Sequence, residues 1–106
     1  ERSQHQEFTV CYVENIQRDA IVEVPAIMDR KGVHPQKVGR IPEALAAFCN
    51  RQVVIQRLIV EAYAKRSRNL LLQALLLDPL VDGVERAEQM LDYMLELQKD
   101  YLPRFK

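Results

Sequence analysis

The chain has 106 residues, enough for one domain, and 48% of them are apolar, which excludes a disordered chain. Lys and Arg number 15 and Asp and Glu number 15, so the net charge is zero, without the basic excess of a nucleic-acid binder. No apolar run reaches the roughly 18 residues of a membrane span, and the polar opening ERSQHQE has no signal-peptide pattern.

Residues 8 to 13, FTVCYV, are β-branched and aromatic and predict a strand. Residues 20 to 28 alternate, with Ala20, Val22, Val24, Ala26 and Met28 on one face and Ile21, Glu23, Pro25 and Ile27 on the other. Proline cannot donate to a β-ladder, so this second strand is expected at an edge or bulged near Pro25. Asp29-Arg30-Lys31-Gly32 reads as a turn with Gly32 at positive φ, and VHPQKV, residues 33 to 38, as a short return strand. From Pro42 the period changes from two to 3.6. Leu45, Phe48, Cys49, Val53, Ile55, Leu58, Ile59 and Ala62 form one helical stripe, with Asn50 as a candidate break. Ser67 is placed to cap a second helix, NLLLQALLL at residues 69 to 77, which is apolar almost all round and therefore expected to be buried on every side. Asp78-Pro79 ends it. Asp82 or Gly83 opens a third helix, with Val84, Ala87, Leu91, Met94, Leu95 and Leu102 as its stripe, and PRFK closes the chain as a tail. The fold class is α+β: a small antiparallel sheet or hairpin followed by three α-helices, in a single domain over residues 1–106.

Chemistry is sparse in these residues. Gly32, Gly39 and Gly83 are scattered, and a pyrophosphate cradle needs clustered glycines so that backbone N–H groups can approach the ligand. His34 stands five residues after Asp29 beside a turn, which fits a surface or hydrogen-bonded histidine better than a metal ligand. Cys11 and Cys49 could form one disulfide, but two buried free thiols in a cytoplasmic protein is the expected reading, with Cys49 packed beside Phe48. Glu23, in an apolar strand, is either solvated or paired with an arginine, and is expected to be structural rather than catalytic. In Lys65-Arg66-Ser67-Arg68, the cations at the end of the first helix suit its dipole, whereas Arg68 begins the next helix and does not; anion binding is the functional alternative.

Six blocks carry a family resemblance: Val22-Glu23-Val24-Pro25; the spacing Asp29-x-x-Gly32-x-x-Pro35; Val38-Gly39-x-x-Pro42; Val60-Glu61-Ala62; Ala74-Leu75-Leu76-Leu77-Asp78-Pro79-Leu80; and Tyr101-Leu102-Pro103-x-Phe105. In this order, over about residues 12 to 105, the chain resembles the C-terminal region of the family 4 glycoside hydrolases. The resemblance implies a lactate/malate dehydrogenase-like enzyme, whose N-terminal Rossmann half is absent here and whose C-terminal domain is α+β. Such enzymes cleave glycosides or 6-phosphoglycosides with NAD and a divalent metal, usually manganese, outside the two-carboxylate scheme of most glycosidases. The sugar is oxidised at C3, a base removes the acidified C2 proton, the leaving group at C1 is eliminated, and water and hydride are added back. The NAD, metal and tyrosine motifs of that chemistry lie upstream of the six blocks, so the resemblance assigns no catalytic, cofactor-binding or metal-binding residue to this chain.

The chain departs from the family where Arg66-Ser67 stands for Gly-Asp, where Arg40 stands for the aspartate of Val-Gly-Asp-Leu-Pro, and where Thr9-Val10-Cys11 replaces an Asn-x-Gly segment. These changes fall on the expected dimer contacts and substrate-side loop. The expectation is a cytoplasmic glycosidase's C-terminal domain that completes the sugar or sugar-phosphate cleft and forms a homodimer, inactive alone, with no nucleic-acid or membrane partner. The chain lacks an initiating Met and reads as a piece of a longer protein or a processed chain. The alternative is a stand-alone interaction or oligomerisation module derived from that domain.

Overall fold

A computed structural model describes residues 11–106, which contain two strands and three helices: β1 (Ala26–Asp29), β2 (Gly32–Pro35), α1 (Glu43–Lys65), α2 (Arg68–Leu77) and α3 (Val84–Leu97). The hairpin followed by three helices is the expected α+β arrangement. The chain divides into two compact units, one up to Asn50 and the other Arg51–Lys106.

In the first unit, β1 and β2 pair antiparallel, with Ile27 opposite His34 and Met28 opposite Val33. Both strands are shorter than the alternation suggested. The second expected strand begins at Ala26, not Ala20, because Pro25 withholds a ladder donor and residues 20 to 25 find no strand partner. The Pro25 carbonyl instead accepts the N–H of Gln36 at 2.8 Å, just beyond the last paired residue. Gly32 takes φ 124°, as the turn required. Residues 8 to 10 of the expected first strand lie outside the described residues; its remainder supplies a single parallel bridge, Val13 to Gly39. Around it the Glu14 N–H donates to the Gly39 carbonyl at 2.9 Å and the Val38 N–H to the Tyr12 carbonyl at 2.8 Å. Gly39 makes this pairing with φ 82°; a Cβ there would meet no atom within 4 Å, so glycine is favoured by backbone conformation and not by space.

Asn50 does not break α1, which runs through it. Its polarity serves another purpose, described below. Among the described residues of this first unit, Val13 and Ala46 are the buried apolar ones.

In the second unit the buried residues are Ile55, Ala62, Ala74, Ala87 and Leu91. Three of these five are alanines, so helix backbones approach closely while little side-chain area is hidden. The α2 helix is not buried on every side: only Ala74 is buried, and Leu76 and Leu77 are exposed. Along the first stripe Leu45, Phe48 and Ile59 are exposed, and along the third Val84 and Met94 are exposed. The described residues do not supply a layer for every apolar face the helices carry.

The helix ends follow local chemistry. The Ser67 side chain accepts the Leu70 N–H at 3.3 Å, which caps α2 as expected. At the end of α1, the Ser67 N–H donates to Ala62 and the Arg66 N–H to Tyr63, the two bonds of a Schellman stop. Arg66 holds the left-handed position of that stop, φ 55°, where the family resemblance implies glycine. Gly83 precedes α3 with no side-chain cap. The final residues are not a loose tail: the Lys106 N–H donates to the Arg66 carbonyl and the Arg68 N–H to the Lys106 carbonyl, each at 2.9 Å.

Candidate functional site

Three groupings of polar side chains stand out among the described residues. The first is a clamp in the first unit. The Asn15 side chain accepts the Ile41 N–H at 3.0 Å and donates to the Ile41 carbonyl at 2.7 Å. Asn50 donates to the Asn15 carbonyl and accepts the Gln17 N–H, both at 3.0 Å. Two asparagines thus hold the loop at residues 13 to 17 against the Gly39–Pro42 connection and the first half of α1. An amide suits this work because it carries both an acceptor and a donor, and each serves a partly buried backbone group that water reaches poorly. The sequence held one signal of this clamp, a polar Asn50 interrupting an apolar stripe. Asn15 had none.

The second place is the hairpin. The Asp29 carboxylate accepts the Lys31 N–H at 2.7 Å and lies 2.9 Å from His34 Nε2. The His34 bond, and then the Lys31 N–H, hold the Asp29 carboxyl below the usual aspartate range. His34 is thereby a hydrogen-bonded surface residue. Glu23 is exposed and lies ahead of β1, in the solvated form of the two weighed from sequence.

The third place is the α1–α2 corner. Each cation of the Lys65–Arg68 run has a local partner: Lys65 pairs with Glu61, Arg66 lies 4.7 Å from the centre of the Tyr63 ring, and Arg68 binds Asp92 of α3 through Nε at 3.1 Å and Nη2 at 2.6 Å. Arg68, which made no sense against the helix dipole, is explained by a cross-helix ion pair. The thiols of Cys11 and Cys49 are free and half-buried rather than fully buried; the Cys11 Sγ lies 3.1 Å from the Val13 carbonyl.

The second unit also holds an apolar cavity of about 350 Å³, lined by Ile55 and Ile59 of α1, Leu71 and Leu75 of α2, and Leu91 and Met94 of α3, with Asp78 and Gln98 among its few polar neighbours. Its size falls at the low end of small-ligand pockets. No group of three or more His, Cys, Asp or Glu side chains among the described residues is placed to hold a metal ion. The three glycines sit apart, at the start of β2, in the bridge to Val13 and just before α3, and are not clustered as a phosphate cradle requires. No helix among the described residues is long and apolar enough to cross a membrane.

Residues 11–81 match the family 4 glycosyl hydrolase C-terminal domain. The chain belongs to the family 4 glycoside hydrolases. It is 35% identical over 91 residues to maltose-6'-phosphate glucosidase of Clostridium acetobutylicum, a match covering 86% of this chain and 21% of that one. Two solved 6-phospho-α-glucosidases from gut microorganisms share the fold. One, in complex with NAD and glucose-6-phosphate, gives a TM-score of 0.80 at 33% identity over 90% of this chain and 22% of its own. The other, in complex with NAD and Mn2+, gives 0.81 at 31% identity over 91% of this chain and 22% of its own. The family 4 chain described here therefore spans about a fifth of the length of the proteins it matches. The hairpin, the Gly39 bridge and the Ser67 cap all lie within the matched segment.

Proposed function

We propose that this chain acts as the C-terminal part of a family 4 enzyme that cleaves 6-phosphoglycosides by NAD-assisted oxidation and elimination. In this reading it completes the substrate cleft and joins subunits, while the remaining four-fifths of the enzyme holds NAD, the metal and the reacting groups. Two of the relatives support the substrate class: one is a maltose-6'-phosphate glucosidase, and one solved neighbour was obtained with glucose-6-phosphate. The chemistry of the described side chains fits a supporting part, because its polar groups are engaged in holding backbone and helices and its cavity is apolar. No residue of the chain is proposed as catalytic. Two free thiols fit a cytoplasmic setting.

A chimera tests this. The chain replaces the matching C-terminal fifth of the Clostridium acetobutylicum relative, and hydrolysis of nitrophenyl 6-phospho-α-glucoside is measured with NAD and Mn2+. NAD-dependent turnover is expected from the chimera and none from the chain alone. A folded chimera without turnover, or saturable NAD binding by the chain alone with Kd tighter than about 1 mM, sinks the reading.

The second reading is a stand-alone interaction module, in which the exposed apolar side chains of α2 and α3, Leu76, Leu77, Met94 and Leu97, would serve as the docking face. In both readings the chain associates with a second copy of itself.

A further inference from the structure

We propose that the outer edge of β1 is a subunit seam, along which a second copy of this chain adds its own β1 antiparallel and joins the two-stranded hairpins into one four-stranded sheet. This gives the subunit-joining role proposed above a definite surface, and rests on that role. Each strand of the hairpin has one edge with no neighbour, and both strands are exposed along their whole length. In an antiparallel ladder, pairs that exchange hydrogen bonds alternate with pairs that do not. The Gln36 N–H bonds to the Pro25 carbonyl, which makes Pro25 and Gln36 a bonded pair and, by alternation, Ile27–His34 and Asp29–Gly32 as well. The N–H and C=O groups of Ala26 and Met28 therefore point away from β2, and neither residue has another backbone partner among the described residues.

The two edges are not equivalent. Val33 and Pro35 stand on the outer edge of β2, and Pro35 has no N–H, so that edge is blunted against further strands. Pro25 does not protect β1 in the same way, because its missing donor faces Gln36 across the hairpin and not the open side. The open edge of β1 is self-complementary in one register. With a twofold axis at Ile27, Ala26 of each copy exchanges hydrogen bonds with the partner's Met28, and Ile27, 59% exposed in the single chain, packs against the partner's Ile27. The same register sets the exposed Glu23 opposite the partner's Lys31, a residue of opposite charge. A shift of two residues in one direction sets Glu23 opposite the partner's Asp29, a like charge; in the other it sets Ala26 opposite the partner's Arg30, in the turn where the strand has ended. The joined sheet also passes the minimum of about three strands below which a sheet is marginal in water.

Amide hydrogen exchange and sedimentation equilibrium on the intact chain, at protein concentrations above and below the dimer midpoint, test this. The Ala26 and Met28 amides should exchange about tenfold or more slower in the dimer than in the monomer, whereas the Val33 amide, on the blunted edge, should stay within about threefold of its monomer rate. Met28→Pro removes an outward donor and no bond within the hairpin, so the Gln36 amide should keep its protection while the dimer Kd rises about tenfold or more. Ala26 and Met28 amides that are unprotected in a sample sedimenting as a dimer overturn the proposal and assign the dimer to the apolar faces of α2 and α3. Protection that does not change with concentration also overturns it, since the chain would then cover the edge itself. So does a Met28→Pro variant with an intact hairpin that dimerises like the parent. A monomer at every concentration removes the seam together with the self-association on which it rests. Should Met28→Pro lose its hairpin, the parent amides decide alone.

Discussion

Asp29 shows how one side chain sets a turn. Its carboxylate accepts the Lys31 N–H and meets His34 across the hairpin, and both favour the charged form. A carboxyl whose folded pKa is lowered contributes stability that is present above its unfolded value and is lost as pH falls through the folded value. The hairpin should therefore hold its geometry at pH 5 to 7 and loosen below about pH 4. The Lys31 amide resonance, followed by NMR through that range, should titrate with Asp29, and Asp29→Ala should abolish the response. Since the group is exposed, the effect is local and global stability barely changes. Arg66 is the other informative residue. Its left-handed φ costs a side-chain-bearing residue about 1 kcal/mol, only part of which an exposed cation–π contact with Tyr63 offsets. Arg66→Gly should raise stability by about 0.5 kcal/mol in urea denaturation. A loss of stability would mean that the Tyr63 contact outweighs the backbone strain.

At the scale of elements, the clamp of Asn15 and Asn50 does what a longer sheet would otherwise do. The strands are short and exposed, and an isolated hairpin is marginal in water. Side-chain amides fasten the neighbouring loop instead. Asn15→Ala leaves the Ile41 N–H and carbonyl without their partner in a partly buried place, at a cost of about 2 kcal/mol. Thermal unfolding followed by circular dichroism should show a clear drop in Tm, while Glu23→Gln, at an exposed position, should stay within about 0.5 kcal/mol of the parent. If both variants unfold at the parent temperature, the clamp does not stabilise the fold.

At the scale of the whole molecule, the apolar faces outnumber the layers that cover them. Leu76, Leu77, Met94 and Leu97 remain partly exposed on α2 and α3, and each forgoes a fraction of the roughly 1.5–3 kcal/mol that full burial of such a side chain contributes. A symmetric pair is the simplest closed assembly that hides such surface. Sedimentation equilibrium at micromolar concentration should give about twice the 12.3 kDa chain mass. A clean 12.3 kDa species across that range would remove self-association from both functional readings.

What the amino-acid order determined alone was local. The change of period at Pro42, the Ser67 cap, the positive φ of Gly32 and the α+β class all rest on interactions spanning a few residues, so the sequence displays them directly. The six ordered blocks pointed to the family for a different reason: they preserve a shared solution to one fold. Tertiary structure alone decided the rest. Pro25 shortened a strand because residues 20 to 25 found no partner to pair with, and pairing is not a property of a segment. Asn50 proved to be a clamp because Asn15, 35 residues away, lies within hydrogen-bond reach. Arg68 found Asp92 across 24 residues, and Lys106 found the α1–α2 corner. The leucines of α2 looked buried all round because hydrophobicity states a preference for cover, whereas only the packed chain shows how much cover there is.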